Sequence, residues 1–319
     1  MVNICLIGCG RVGRRHLEAM LKVKHEVNIE VVEPNTESIN STKELLPDFN
    51  NYFSRIEDVS DNIDICLIAT ASSVRKKVIL NLLKRKTVKN IILEKVVFQN
   101  ENDFDSMVRV FDDININCWV NCHLRAQPIY KTLKSYINSE RSNIFRYNYS
   151  DDFTLSSSAI HILDLFSYLC DDYNVVIKSI DTGTKLEESR HSGCVDFNGN
   201  MEVINSKGDT LFVTKRDAIF GEHMSVSNYD KVYLETSEGD NPRSRMGYMF
   251  EHDTFSRHII PYIWQSSLTN SYIGDIIEKS DCELSTLKDS AILHKIMLKS
   301  FRVFLKKEYN YEVNDCPIT

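Results

Sequence analysis

Nowhere does the chain run through the ~18 to 20 consecutive apolar residues that a membrane span requires. A membrane-embedded protein is therefore not expected. Positive charge is also short: 38 Lys and Arg stand against 45 Asp and Glu, a net charge of −7. Phosphate backbones are held by clustered cations, so nucleic acid is not expected as a partner. The charge runs Arg75-Lys76-Lys77, Lys84-Arg85-Lys86 and Lys306-Lys307 read most simply as solvated helix faces. No internal repeat or low-complexity segment is present. The apolar run after Met1 is too short for a secretory leader.

The nine cysteines are scattered and odd in number, several of them inside apolar strand-like runs (Cys5, Cys66, Cys118). That usage implies buried reduced thiols and a cytoplasmic setting rather than a disulfide framework. Cys118-x-x-x-Cys122-His123 has no second ligand pair at zinc-site spacing, so no metal is expected. Glycine is scarce as well, 11 in 319 residues, well under the usual ~7%. Against that background, three glycines within six positions are informative.

They stand in Gly8-Cys9-Gly10-Arg11-Val12-Gly13, between the apolar run Val2–Ile7 and a helical stretch, Arg14–Val23. Strand, glycine turn and helix in that order suit a dinucleotide. One glycine makes the tight bend, one lets backbone approach the pyrophosphate, and one lets helix and strand pack closely. The helix N-terminus favours the anion. A second apolar run, Ile29–Val32, ends at Glu33, about twenty residues past the motif, where a carboxylate accepts from the adenosine ribose and repels a 2′-phosphate. This favours NAD over NADP.

Strand and helix patterns continue to alternate through Thr36–Leu46, Ile63–Ala69, Val74–Lys86, Ile91–Leu93, Asp103–Asp113 and Cys118–Val120. The strands are continuously apolar, as in a doubly wound parallel sheet covered on both faces. Ligands of such sheets bind past the carboxyl ends of the strands. Ala69-Thr70-Ala71-Ser72-Ser73, Glu94-Lys95 and Asn121-Cys122-His123 are thus expected to face the glycine turn.

Past Ala126 the texture changes. Helices are expected over Pro128–Ile137 and Ala159–Leu169. Strands are expected over Ile144–Tyr149, Val175–Ile180, Cys194–Phe197, Met201–Ile204, Leu211–Thr214, His223–Val226 and Val232–Glu235. Asn198-Gly199 and Lys207-Gly208-Asp209 read as hairpin turns. After Asp240-Asn241-Pro242, helix resumes over Ile259–Leu268, Tyr272–Glu278 and Thr286–Phe304. The division expected is a Rossmann α/β domain over residues 1–122, then an α+β domain with a mainly antiparallel open sheet over 123–319. The helix near 286–304 is expected to pack back on the first domain.

Chemistry is expected at two places. Lys95, at a strand end on the nicotinamide rim, can exchange a proton with a substrate hydroxyl; the plain alternative is an exposed Glu94-Lys95 ion pair. In Thr154-Leu155-Ser156-Ser157-Ser158-Ala159-Ile160-His161, Ser157 and His161 share a helix face at i and i+4, with Asp164 a turn further on. There His161 can donate to a substrate oxygen; the alternative is a locally satisfied histidine with the serines as helix caps.

Taken together, the glycine turn, Glu33, Ala69-Thr70-Ala71-Ser72-Ser73, Leu93-Glu94-Lys95, Asn121-Cys122-His123-Leu124-Arg125 with Pro128, and Ser157 to Asp164 resemble the Gfo/Idh/MocA oxidoreductase family. By motif the resemblance reaches about Leu169, and by architecture the rest. It implies NAD or NADP as hydride carrier, a carboxy-terminal sheet that shapes the substrate pocket and a dimer or tetramer interface, and sugar-like substrates. Its catalytic lysine and histidine fall on Lys95 and His161. The cofactor would lie against Gly8, Cys9, Gly10, Arg11, Val12, Gly13, Glu33, Ala69, Thr70, Ser72, Glu94 and Lys95. His123 and Arg125 are candidate substrate contacts, with surface loop polarity as the alternative. Three departures stand out: Val96 replaces the motif proline, Ala71 interrupts A-T-P-N, and Ser157 replaces the aspartate of D-x-x-x-H. The expectation is an NAD-dependent dehydrogenase or reductase of a secondary alcohol or ketone on a sugar, cyclitol or nucleotide sugar. The alternatives are a non-catalytic dinucleotide-binding regulator and a reductase of a tetrapyrrole or imine.

Overall fold

A strand covered on both faces has no polar side to alternate with, and Val2–Ile7 (β1) is such a strand: Ile4, Cys5 and Leu6 are wholly enclosed. The computed structural model describes residues 1–137, 142–150, 154–181, 185–216, 223–227, 231–237, 244–251, 254–261, 263 and 265–319. After β1 come α1 (Arg11–Met20), β2 (Val27–Val32), α2 (Thr36–Leu45), β3 (Tyr52–Phe53), β4 (Asn62–Ile68), α3 (Ser72–Arg85), β5 (Thr87–Leu93), α4 (Glu101–Asp113) and β6 (Asn117–Val120). Then follow α5 (Pro128–Tyr136), β7 (Ile144–Tyr149), α6 (Leu155–Cys170), β8 (Val175–Asp181), β9 (Glu187–Glu188), β10 (Val195–Asp196), β11 (Asn200–Asn205) and β12 (Thr210–Lys215). The chain continues through β13 (His223–Ser227), β14 (Lys231–Ser237), β15 (Ser244–Glu251), β16 (Thr254–Pro261), α7 (Gln265–Lys279), β17 (Ser285–Thr286) and α8 (Leu287–Tyr309).

Contacts divide the chain into two units, Met1–Asn121 with Trp264–Lys288, and Cys122–Ile263 with Asp289–Thr319. In the first, the sheet order is β17-β6-β5-β4-β1-β2-β3, parallel throughout except for β17, which joins β6 antiparallel. The order reverses between β1 and β4, so the binding crevice of this topology lies at their carboxyl ends. The segment 264–288, assigned by sequence to 123–319, lies in the first unit. There Asn270 donates to the Lys22 carbonyl at 2.8 Å, and His16 Nδ1 lies 2.7 Å from Thr269 Oγ1.

The second unit holds an eight-stranded sheet, β16-β15-β14-β13-β7-β12-β11-β8, in which, among the described residues, only the β7–β12 pair is parallel. Alternation builds its core: Phe145, Tyr147 and Tyr149 of β7, Leu211 and Val213 of β12, and Met201 and Val203 of β11 are all buried. Lys207-Gly208-Asp209 does turn the β11–β12 hairpin, with Gly208 at φ +86.

Several expectations need correction. Thr254–Pro261 is a strand paired along its length with Ser244–Glu251, so the helix expected from Ile259 begins only at Gln265. Pairing along the whole length of a neighbouring strand outweighs the local pattern. Of Cys194–Phe197, only Val195–Asp196 is strand, and it pairs with Glu187–Glu188 in a separate ribbon. Asn198-Gly199 is therefore not a hairpin turn. Instead Asn198 Oδ1 accepts from the Leu155 N–H at 3.3 Å, and the Tyr149 hydroxyl accepts from Gly199 N–H at 2.9 Å. Asp240-Asn241-Pro242 lies outside the described residues. Two of the basic runs are not wholly solvated. Arg75 is buried, and Lys86 is buried with its ammonium on the Glu57 and Val59 carbonyls and the Asp61 carboxylate at 3.0, 2.6 and 2.9 Å.

Candidate active site

The three motif glycines have three different physical reasons. Gly8 has φ +91, and a Cβ on it would stand 3.0 Å from the Ala69 carbonyl carbon; a Cβ on Gly13 would stand 2.0 Å from Gly8 O. These two residues let β1, α1 and the loop after β4 approach backbone to backbone. A Cβ on Gly10 would meet nothing within 4 Å. Gly10 also caps α1 with no side-chain hydrogen bond to the helix, so Arg11, Val12 and Gly13 open a helix whose end is available to an anion.

Glu33 follows β2 and is buried. Its carboxylate accepts from the Cys9 N–H at 2.7 Å and the Asn35 N–H at 2.9 Å. It therefore holds the glycine turn, and a carboxylate with about four lone-pair sites keeps capacity for further donors. The Cys9 thiol packs 3.6 Å from Thr42 Oγ1. Burial above all, with the Glu33 charge, raises its pKa, so it is not a ready thiolate.

At the ends of β4 and β5 the sequence reading missed the residues that do the holding. Glu94 is only 4% exposed. His16 Nε2 lies 2.8 Å from its Oε1, and Asn121 Nδ2 donates to the same oxygen. Burial pushes the carboxyl up, but the hydrogen bond and charge of His16, the Asn121 amide and the Lys95 charge together bring it down to about 2. Glu94 and Lys95 are thus not an exposed strand-end pair. Arg75, on the inward face of α3 with Ser72, Ile79 and Leu82, donates to the carbonyls of Glu94 (2.6 Å), Val97 (2.9 Å), Val96 and Thr70. Lys95 is half-buried at the head of this turn, and the Lys95–Val96 peptide is cis. His16 is three residues past Gly13 on the same face as Leu17 and Met20. Helical spacing alone could have placed it inside.

The Glu94 carboxyl sets an acid limit on stability. Its folded pKa lies below the ordinary 4.5, so the stabilisation is complete above about pH 4.5 and is lost as pH falls toward about 2. It amounts to on the order of 3 kcal/mol. His16→Ala leaves this buried carboxylate without its strongest partner, and is expected to cost about 3 kcal/mol at pH 7 in urea unfolding. Glu94→Gln should flatten the stability profile across that acid window. A profile as steep as the parent's would contradict the assignment.

In the second unit, Ser157 and His161 lie on α6 as the i, i+4 spacing requires, with His161 buried. The His161 and His123 rings meet edge to face at 4.7 Å between centroids. The serines do not cap the helix: its first N–H groups go to Asn198 Oδ1 and to the Phe197 carbonyl. Ser156 instead bonds Asp196 at 2.9 Å, and Ser157 Oγ lies 2.5 Å from Thr154 Oγ1. Arg125 is not a surface loop residue. It lies 3.4 Å from the fully buried Asp164, donates to Tyr173 Oη at 3.1 Å and stacks 4.7 Å from the Tyr168 ring centre. Burial alone would lower its pKa, but the Asp164 charge and Tyr173 raise it. Lys95 belongs to the first unit, and Ser157, His161, His123 and Arg125 to the second.

Among the described residues, no group of three or more His, Cys, Asp or Glu is placed to hold a metal, and no helix is long and apolar enough to cross a membrane. A dinucleotide fits the first unit on the structure's own terms. The space before Gly10 is open, and the buried Thr70 Oγ1 and Asn121 Oδ1 at the same sheet edge have no protein partner.

Residues 2–122 match the model of the GFO_IDH_MocA oxidoreductase family, described as an NAD-binding Rossmann fold. No curated protein sequence matches the chain. Several solved structures share its fold over nearly the whole length. An oxidoreductase from Agrobacterium radiobacter in complex with NAD+, L-tartaric acid and magnesium has a TM-score of 0.74 at 13% identity, covering 94% of this chain and 96% of that one. The transcriptional regulator Gal80p from Kluyveromyces lactis has 0.72 at 14%, covering 96% and 93%. UDP-N-acetylglucosamine 3-dehydrogenase GnnA from Acidithiobacillus ferrooxidans has 0.72 at 11%, covering 94% and 96%. Residues 2–122 thus match the NAD-binding Rossmann unit of the Gfo/Idh/MocA family of oxidoreductases.

Proposed function

We propose that the chain is an NAD-dependent oxidoreductase acting on a secondary alcohol or ketone of a sugar, cyclitol or nucleotide sugar. The observation that carries the reading is the open approach to Gly10, framed by two glycines whose Cβ positions are filled by backbone. Gly8 to Gly13 with the head of α1 would hold the pyrophosphate, Glu33 the adenosine ribose, and Ala69, Thr70, Ser72 and Glu94 the sheet edge beyond. When bound, the nicotinamide supplies or accepts hydride. Lys95 takes the proton of the substrate hydroxyl and returns it in the reverse direction. His161 orients the reacting oxygen, Ser157 bridges in place of the family's aspartate, and His123 and Arg125 contact the rest of the substrate. A cytoplasmic homodimer or tetramer, joined through the second sheet, is part of the same reading; nine cysteines with no disulfide among them support a reducing compartment.

The test is direct: NADH with a panel of keto-sugars, and NAD with the matching alcohols, followed by absorbance. Turnover on one of them is expected. A second reading has its own support, since Ser157 lacks the carboxylate of the family motif and a regulator shares the fold. Cofactor binding with no turnover on any substrate would select that non-catalytic regulator. Glu33 carries the cofactor preference. Glu33→Ser is expected to narrow the preference for NADH over NADPH by at least about tenfold, the loss of one charge repulsion of ~1.4 kcal/mol. It should also weaken both ligands, because Cys9 N–H loses its acceptor. Competitive fluorescence titration reads both effects; an unchanged ratio would remove Glu33 from the ribose site.

A further inference from the structure

We infer that Arg75 is the positioning residue for Lys95: one buried guanidinium fixes the Glu94–Val97 turn that carries the lysine and ties it to the loop after β4. The inference rests on the reading of Lys95 as the proton-exchanging group. Charge runs on helices are ordinarily solvated, yet Arg75 is 2% exposed. Its Nη1 donates to the carbonyls of Glu94, Val96 and Val97, and its Nη2 to that of Thr70. The carbonyls before and after Lys95 are therefore both held by one rigid, planar group. Rotating either one breaks a buried, charge-assisted hydrogen bond, which restrains the backbone on both sides of the lysine.

The grip is continuous with the glycine turn. Thr70 follows Ala69, whose carbonyl carbon would meet a Cβ on Gly8, and the Ala69 N–H donates to Ile7 O at 2.8 Å. The Glu94 side chain is fixed independently by His16 and Asn121. Main chain and side chain of the residue before Lys95 are thus held from three elements: α3, α1 and the end of β6. Enclosing a guanidinium here is costly. Burial lowers it to about 10, with the Glu94 carboxylate as the compensating charge. A buried charge is weak evidence of a stability role and better evidence of a geometry being held.

The experiment uses the full chain with its lysines 13C-dimethylated, the Lys95 resonance being identified by its loss in Lys95→Arg. Arg75→Lys keeps the charge but loses the planar fork that reaches four carbonyls from two nitrogens; Arg75→Met removes both. Both variants are expected to fold and bind NADH, with kcat down by roughly ten- to a hundredfold, the scale of a misplaced reacting group. The Lys95 resonance should move in both, and its titration midpoint should rise in Arg75→Met, where a like charge is lost. Folded variants with parental kcat and an unshifted Lys95 titration would overturn the inference. So would failure of both variants to fold, which would make Arg75 a stability residue only. Parental turnover in Lys95→Ala would sink the catalytic reading of the lysine, while a shifted Lys95 resonance in the Arg75 variants would still report the positioning.

Discussion

Gly13→Ala is expected to leave the dinucleotide unit without a stable fold, whereas Gly10→Ala should leave the fold intact and lose the cofactor. At Gly13 the added methyl would stand 2.0 Å from Gly8 O. Gly8 cannot retreat, because the backbone of Ala69 and Thr70 already fills the place its own Cβ would take, at about 3 Å, and its φ is +91. Three backbone segments would have to separate, which places the cost at about 3 kcal/mol or more. At Gly10 the backbone is extended, φ −69 and ψ −165, and the methyl meets no protein atom. Stability should change by less than about 1 kcal/mol, the range of cap substitutions. Affinity for NADH should nevertheless fall by at least about tenfold, or ~1.4 kcal/mol, since the methyl occupies the approach to the helix end. Urea unfolding and NADH fluorescence separate the two effects. Equal losses of stability in both variants would deny that the glycines have different tasks.

Lys95→Ala is expected to lower kcat by roughly 10² to 10⁴, the range for loss of a positioned general acid or base. NADH binding should be little changed, because the groups that hold the turn are Arg75, His16 and Asn121 rather than the lysine. Unchanged turnover in Lys95→Ala would remove the lysine from the chemistry.

Much of the first unit was legible because its strands are buried on both faces and its glycines are few. The run Val2–Ile7 coincides with β1, and the Rossmann order follows from alternation. The helix starts were less legible: α1 begins at Arg11 and not Arg14, since an uncapped glycine turn leads straight into it. The segment after 240 was misread for a different reason. Strand or helix in Ile259–Leu268 depends on whether Ser244–Glu251 is there to pair, and that is tertiary information. The holding residues were hidden by their chemical type. Arg75 sat in a basic run, although its spacing with Ser72, Ile79 and Leu82 marks the buried face of α3. His16 and Asn121 gave no pattern of their own, because their partner Glu94 is distant in sequence. Arg125 and Asp164, 39 residues apart, were each visible but not as a pair.

The most direct measurement is a calorimetric titration of the purified chain with NADH and NADPH, alongside Gly10→Ala. One site per chain is expected, tighter for NADH, and sharply weakened by the added methyl in a protein that melts as the parent does. Absence of binding by either nucleotide, or parental affinity in Gly10→Ala, would contradict it.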